Sequence, residues 1–554
     1  MAWYDSAVFY HIYPLGLCGC PHDNKGESGR HFDQLTEWAD HAKRIGCSAI
    51  YIGPLFESGS HGYDTADYRL VDRRLGSNED FKQFVSHCHD MGVKIIVDGV
   101  FNHTGRGFFA FEDLKRNREN SSYKDWYCNV NFWGNNEYND GFSYDNWGGH
   151  NMLVKLNLWN QAVKDYLFDT VRFWIQEFDI DGIRLDAADV LDFGFMGDLR
   201  RVCDGLKNEF WLMGEVIHGD YSRWANEGML HSVTNYELHK GIYSGHNDHN
   251  YFEIAHSIRR LNGIVGDRIR LYTFTDNHDV SRIYSKLNNK AHMVPAAMIA
   301  YMVPGIPSVY YGSEFGIEGV KQHGSDWNLR PCLDLADFDE NGELPRLFKA
   351  LGRIKRDFPE ASYGEYQELL LTNRQFAFGR VMNGKCIVTA VNNDDNPAHL
   401  EIGLPVRAGR AVNLLTLSDE PRIPDAAAQE EMRRQLVAQK DELQERSGQL
   451  VGAAGEIQSK AYDVQKAVAE LDVPTLAVGL KDGIKEAISG PAGQLLSAIR
   501  NMERVYNEFA GRCGAEGTGP STHALDGCEN LELRDGKLIV DLAPNNGVVA
   551  FVEE

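Results

Sequence analysis

The sequence predicts an α/β protein built on a (β/α)8 barrel, with a loop domain inserted after the third strand, a C-terminal antiparallel β-sandwich and a helical insertion within that sandwich. Three observations carry this reading. Between residue 7 and about residue 314, short runs rich in β-branched and aromatic residues alternate with longer amphipathic stretches. After about residue 360 the hydrophobic period changes to two. Within residues 421–528 a strict seven-residue spacing takes over.

The barrel strands read, in order, as AVFYHIYPL from Ala7, SAIYIGPLF from Ser48, KIIVDGV from Lys94, GIRLDA from Gly182, FWLMGEV from Phe210, SVTNYEL from Ser232, RLYTFTDN from Arg270 and IPSVYYGSE from Ile306. Eight is the number that closes such a barrel. After the candidate N-cap Asn160, Val163, Leu167, Val171, Trp174, Ile175 and Phe178 recur at helical spacing, a core-facing stripe. The barrel is therefore assigned to residues 1–102 and 158–360. Residues 103–157 are too long for an ordinary strand-to-helix connection and form an inserted loop domain B. Trp126, Tyr127, Phe132, Trp133, Tyr138, Phe142, Tyr144 and Trp147 lie there among Asn, Asp and Gly, as sugar platforms, as a small aromatic core, or as both.

FAFGRVM, KCIVTAVNN, HLEIGL and AVNLLTL, with an Asn-Gly turn at Asn383, read as antiparallel strands, and the pattern returns in LELRDGKLIVDL and VVAFVEE. The sandwich is thus split between residues 361–420 and 529–554. In the intervening 421–528, Leu436, Leu443, Leu450, Ile457, Val464 and Leu471 form a narrow coiled-coil-like seam. Such a seam needs a covering helix, from the insertion itself, from a second copy or from a protein partner.

With 56 Lys and Arg against 80 Asp and Glu, the formal charge of −24 repels nucleic-acid phosphates and anionic membranes and favours a neutral or cationic ligand. No run is long and apolar enough to span a bilayer, and the first residues, MAWYDSAVFYHIYP, read as folded structure rather than a signal peptide. Ten scattered cysteines lack the spacing of a disulfide scaffold or a zinc site, so free thiols in a cytoplasmic protein are expected.

Polar groups at barrel-strand C-termini share one mouth. The third strand ends with Asp98, Asn102 and His103; the fourth with Arg184, Asp186 and Asp189; the fifth with Glu215 and His218; the seventh with Asn277, His278 and Asp279. A single Asp in such a place is commonly a helix cap. Several carboxylates converging on one mouth repel one another unless a proton, an arginine or a ligand intervenes. Arg184, two residues before Asp186 on the same strand face, is expected to keep Asp186 ionised while Glu215 holds a proton. An ionised nucleophile and a neutral acid are what retaining glycoside hydrolysis requires.

At DGVFNH from Asp98, GIRLDA from Gly182, the Gly214–Glu215 pair, NHD from Asn277, HGYDTADY from His61 and PGIPSVYYGSE from Pro304, the sequence resembles the α-amylase family of glycoside hydrolases. The resemblance spans about residues 5–420 and 529–554. It implies Asp186 as nucleophile, Glu215 as general acid/base and Asp279 as the carboxylate gripping the sugar's hydroxyls. It further implies that Arg184 orients Asp186, that His103 and His278 hydrogen-bond the same sugar, that Tyr63 stacks beneath it, and that Asp326 and Arg330 flank the neighbouring unit. An exposed ion pair is the alternative for Asp326 and Arg330.

VKLN from Val154 is most similar to the neopullulanase, cyclomaltodextrinase and maltogenic amylase group, although that group carries an N-terminal β-domain and a Trp where Ile217 stands. The implied substrate is an α-glucan oligosaccharide. No metal ligand is assigned in the mouth and no cofactor is required: Val190 replaces the histidine of calcium amylases, while the oxygen-rich 103–157 loop leaves room for a structural Ca²⁺. A transglycosylase using the same residues, or a catalytically inactive binding module, are the alternatives.

Overall fold

The computed structural model describes residues 2–266, 269–417 and 525–554. Eight parallel strands alternate with helices: β1 (Phe9–Ile12), β2 (Ala49–Ile52), β3 (Lys94–Gly99), β4 (Gly182–Leu185), β5 (Trp211–Gly214), β6 (Ser232–Val233), β7 (Tyr272–Phe274) and β8 (Ile306–Tyr310). Their order in the sheet is β6-β5-β4-β3-β2-β1-β8-β7. A parallel bridge between Thr234 and Tyr272, with the Asn235 N–H donating to the Tyr272 carbonyl at 2.9 Å, joins β6 to β7 and closes the ring. Phe9, Tyr51, Ile96, Trp211, Tyr272 and Ile306 share one buried cluster drawn from strands all around it, so the interior is packed rather than hollow.

The surrounding helices begin where the sequence supplies caps. Asn160 Oδ1 accepts from the Ala162 N–H at 2.9 Å and opens α1 (Gln161–Phe178); the expected stripe from Val163 to Phe178 is buried, and Trp174 stacks on Phe56 at 4.3 Å. One strand is shorter than its sequence pattern. SVTNYEL pairs only at Ser232–Val233, because Asn235 accepts from the Leu238 N–H at 3.1 Å and starts α2 (Tyr236–Asn247). Here capping chemistry overrides β propensity.

Residues 103–157 contain a three-stranded antiparallel sheet of His103–Gly105, His150–Lys155 and Asn146–Trp147, beside the helix Phe109–Asn117. Beyond the barrel, β9 (Glu365–Leu371), β10 (Gln375–Met382), β11 (Lys385–Asn392), β12 (Ala398–Gly403), β13 (Arg410–Asn413), β14 (Glu529–Asn530), β15 (Glu532–Arg534), β16 (Lys537–Leu542) and β17 (Asn546–Glu553) form two sheets. Their orders are β9-β10-β11-β17-β13-β14 and β12-β16-β15, and both sheets contribute to one core that includes Val388, Ala390, Ile402, Leu538 and Val552. Asn383 and Gly384 both take positive φ (51° and 77°), as the Asn-Gly turn requires. The AVNLLTL run leaves its strand at Asn413, whose side chain accepts from the Leu415 N–H and starts a single 3-10 turn.

The helical seam expected within 421–528 lies outside the described residues. The described flanks nevertheless meet: the Glu529 N–H donates to Thr416 Oγ1 at 2.9 Å, and β17 pairs with both β11 and β13. Chain departure and return are therefore adjacent in space. Replacing residues 425–520 by a short Gly/Ser linker is expected to leave the remainder folded. Because loop length changes closure entropy only logarithmically, by ~1 kcal/mol here, the midpoint in a thermal melt should move by only a few degrees. A collapse of the cooperative transition would show that the segment is needed for folding.

Candidate active site

Ladder hydrogen bonds continue past the ends of β4 and β5 and thereby set the positions of the first two carboxylates. The Asp186 N–H donates to the Gly99 carbonyl at 3.1 Å, and the Glu215 N–H to the Leu185 carbonyl at 3.0 Å. Asp186 and Glu215 thus stand one strand apart at the same level. Directly after Asp186, Ala187 takes a left-handed conformation (φ 48°, ψ 44°), which turns its N–H toward Glu215 Oε2 at 3.4 Å. A non-glycine residue is strained there, and such strain is commonly stored beside functional groups.

Arg184 holds three carboxylates together. Its Nη1 donates to Asp98 Oδ1 at 2.8 Å and to Asp186 Oδ1 at 3.0 Å, and its Nη2 donates to Glu215 Oε2 at 2.6 Å. Asp98 is also met by the hydroxyls of Tyr51 at 2.7 Å and Tyr63 at 3.1 Å. The remaining Glu215 oxygen accepts from the Tyr236 hydroxyl at 3.1 Å, which in turn accepts from Asn277 Nδ2 at 3.0 Å.

A second group faces this one. Asp279 is fixed by the Asn277 side chain, which accepts from the Asp279 N–H at 2.9 Å, and its carboxylate lies between His278 Nε2 at 2.8 Å and Arg330 Nη2 at 2.9 Å. Tyr63 links the two groups through its hydroxyl, 2.5 Å from His278 Nε2, while its carbonyl meets His103 Nε2 at 3.1 Å. Arg330 is buried and also bonds the His278 carbonyl, so the exposed-pair alternative fails for it. Asp326 stands behind, 3.5 Å from Arg330 and 3.4 Å from Lys321.

Eight of the nine residues expected in the mouth therefore fall in one hydrogen-bonded assembly, and Asp326 reaches it only through its ion pair with Arg330. Of the other strand-end candidates, Asp189 and His218 are exposed and lie outside it. Sequence reasoning left Asp98, Asn102 and Asn277, noted at their strand ends, without a role, and did not single out the tyrosines Tyr51 and Tyr236. Tyr236 follows the short sixth strand by three residues, and that strand end is the signal that could have drawn attention to it.

The electrostatics differ from expectation in one respect. Burial holds the Asp186 carboxyl well above the usual range; Arg184 opposes this, but the charges of Glu215, Asp98 and Asp279 reinforce it. Burial and the neighbouring acids thus oppose the hold by which Arg184 is expected to keep Asp186 ionised. Asp279 behaves oppositely: enclosure works to raise it, yet His278, Arg330 and Arg184 hold it well below the usual range. Burial pushes the His103 imidazole down to about 4 and that of His11, which stacks on Tyr51 at 4.3 Å, well below its ordinary value.

The Asn102 amide is turned to His103 Nδ1 at 3.1 Å, Val190 is exposed, and among the described residues no cluster of three or more His, Cys, Asp or Glu side chains could hold a metal.

Comparison with known proteins agrees with this geometry. The family described as "Alpha amylase, catalytic domain" matches residues 22–353. A cyclomaltodextrinase from Thermoanaerobacter pseudethanolicus is 30% identical over 420 residues, covering 71% of this chain and 71% of its own. Neopullulanase 2 from Thermoactinomyces vulgaris is 28% identical over 433 residues, covering 74% of this chain and 73% of its own. A solved debranching enzyme from Nostoc punctiforme superposes with a TM-score of 0.65 at 26% identity, covering 76% of this chain and 93% of its own.

The His103 shift has a thermodynamic consequence. A histidine whose folded value is depressed contributes stability that is complete above its unfolded value of about 6.5 and is lost as pH falls, since the unfolded chain takes up the proton first. The window for His103 therefore runs from about 6.5 down to about 4. Urea unfolding free energies measured from pH 7 to pH 4.5 should fall, and His103→Gln should flatten that slope by ~1 kcal/mol per pH unit. An identical slope in the variant would contradict the burial argument.

Proposed function

The chain belongs to the α-amylase family of glycoside hydrolases, and from that premise we propose that it hydrolyses α-glucosidic bonds of maltooligosaccharides, and of related cyclodextrins and pullulan fragments, by double displacement with retention. The observation that carries the reading is the joint hold of Arg184 on Asp186 and Glu215, which places two carboxyls at neighbouring strand ends, the close spacing a retaining mechanism needs.

Asp186 attacks the anomeric carbon while Glu215 protonates the departing glycosidic oxygen, and the roles of Glu215 reverse when water releases the glycosyl group. Both groups start from a pocket in which burial favours a proton on Asp186. Attack requires the Asp186 carboxylate, and departure of the leaving group requires a proton from Glu215. Ala187 N–H, Arg184 Nη2 and the Tyr236 hydroxyl orient Glu215 for that donation. Asp279, held ionised by His278 and Arg330, accepts hydrogen bonds from the sugar's hydroxyls and stabilises the positive charge that develops on the ring. His103 remains neutral at working pH and offers a hydrogen bond without adding charge.

Turnover in this reading needs no catalytic ion. The nine described cysteines, all free thiols, support a reducing, cytoplasmic setting, and among the described residues no helix is long and apolar enough to cross a membrane.

Asp186→Asn is expected to lower kcat on maltotriose by ~10⁴ or more with the thermal midpoint preserved. Proton NMR of the first product should show the α-anomer, and turnover should survive exhaustive chelation. A β-anomeric first product would overturn the retaining assignment, and complete, calcium-reversible loss of turnover would overturn the metal-free one.

A further inference from the structure

At the end of the barrel opposite the mouth, before the first residues of β7 and β8, the barrel and the sandwich line a cavity of about 280 Å³. Its walls come from the start of α2, from α3 (Tyr251–Val265), from the segments leading into β7 and β8, and from the start of β9. Leu238 and Ile258 make part of the wall apolar, while Asn235, Asn262, Arg270 and Tyr366 bring polar groups to it. None of these residues belongs to the carboxylate assembly of the mouth.

Three cations gather around this cavity. Arg270 lines it, is half-buried, and forms no ion pair among the described residues. Arg380 lies opposite Tyr366 in the register of β9 and β10, so the two side chains share one face of the sheet. Its guanidinium donates to the carbonyls of Gly364 at 2.9 Å, Ser362 at 3.1 Å and Met302 at 3.2 Å. Lys355 Nζ donates to the Ala361 carbonyl at 3.0 Å. Arg380 and Lys355 are both buried, and among the described residues both meet carbonyl dipoles rather than carboxylates. Burial, reinforced by the charges of Arg380 and Arg270, pushes the Lys355 ammonium well below its ordinary value, and burial followed by Arg270 lowers Arg380 as well. The acids nearby do not offset this. Glu365, in the lining, is exposed, and Asp5, which feels the Arg270 charge, has one oxygen occupied by the Ala2 N–H at 3.0 Å. Like charges held together at low dielectric leave a positive field, and a doubly charged anion relieves more of it than a singly charged one.

A second observation is independent of charge. The hydroxyl of Tyr366 is buried without a hydrogen-bond partner, and a buried donor left idle is costly unless a ligand oxygen accepts from it. A phosphoryl group supplies the double charge and the acceptor oxygens together, and arginine binds it through paired N–H groups. Size then separates a free phosphate from an esterified one. The cavity stands near the lower edge of the range of ordinary small-molecule sites, roughly 300–1,000 Å³, so it has room beyond a single phosphoryl group. Apolar wall and amide groups side by side suit a sugar's ring face and hydroxyl rim. We propose that this cavity binds a small sugar phosphate, with the phosphoryl group on the Arg270 guanidinium and the Tyr366 hydroxyl and the sugar hydroxyls on the Asn235 and Asn262 amides. The site is separate from the mouth and does not depend on the α-glucan reading.

Calorimetric titration of glucose 6-phosphate into the full chain near neutral pH, where the phosphoryl group is mostly dianionic, tests this. Saturable binding at one site is expected. Arg270→Gln should weaken it by about tenfold or more and Tyr366→Phe by several-fold, with thermal midpoints close to that of the unsubstituted protein. Should Arg270→Gln fail to fold, Tyr366→Phe, which removes a single hydroxyl, decides the matter. Inorganic phosphate should compete with the ester but bind more weakly, and glucose should not compete. Lack of saturable binding, affinity undiminished in the folded variants, or displacement of the ester by glucose would overturn the site. Inorganic phosphate binding as tightly as the ester would overturn the sugar part of the assignment.

Discussion

One guanidinium must satisfy three carboxylates. Arg184 is buried with Asp98, which is equally sequestered, and the contacts to Asp186 and Glu215 use two more of its donors. Three acids on one cation leave an excess of negative charge in a low-dielectric mouth, and such an excess is relieved by a proton or by a ligand. The rest of the site follows from this. Tyr51 and Tyr63 spread the charge of Asp98, Tyr236 attends Glu215, and Asp279 is given its own cation in Arg330 rather than a share of the first.

Barrel topology makes the arrangement feasible. Because β3, β4 and β5 are neighbours in parallel register, with Asp98 opposite Arg184 and Arg184 opposite Met213, the arginine sits in the middle strand of three and reaches an acid on either side. The residue two places on, Asp186, falls on the same face above it. An antiparallel sheet would scatter these strand ends between two edges; the parallel barrel gathers them at one. Asp279 and Arg330 come from the opposite side of the mouth, after β7 and β8, so the two charge centres confront one another across a gap bridged by Tyr63.

Much of this was legible in the sequence. All eight barrel strands coincide with the expected runs, since parallel strands buried on both faces are continuous hydrophobic segments ending in polar residues. His103, Arg184, Asp186, Glu215, His278 and Asp279 stand out because polar types recur at those ends, whereas Tyr63, Asp326 and Arg330 follow only from the family resemblance. What escaped was local or long-range. The shortness of β6 depends on Asn235 capping a helix, a competition that β propensity does not register. Tyr51 carries no motif, and its role arises only where its hydroxyl meets Asp98, 47 positions away in sequence. The upward push on the Asp186 carboxyl is likewise invisible in the sequence, since it comes from burial and from Glu215, Asp98 and Asp279, which only the fold brings together.

The account turns on burial and the acids crowded around Arg184, which together push the Asp186 carboxyl up and so favour a proton there in the substrate-free mouth. Infrared difference spectroscopy between the substrate-free enzyme and its Asp186→Asn variant near neutral pH reads that proton directly. The expected result is a protonated-carboxyl C=O band present in the unsubstituted enzyme and absent from the variant. Spectra that coincide in that region, with the Asp186 carboxylate already ionised in the empty site, would contradict the shared-guanidinium account.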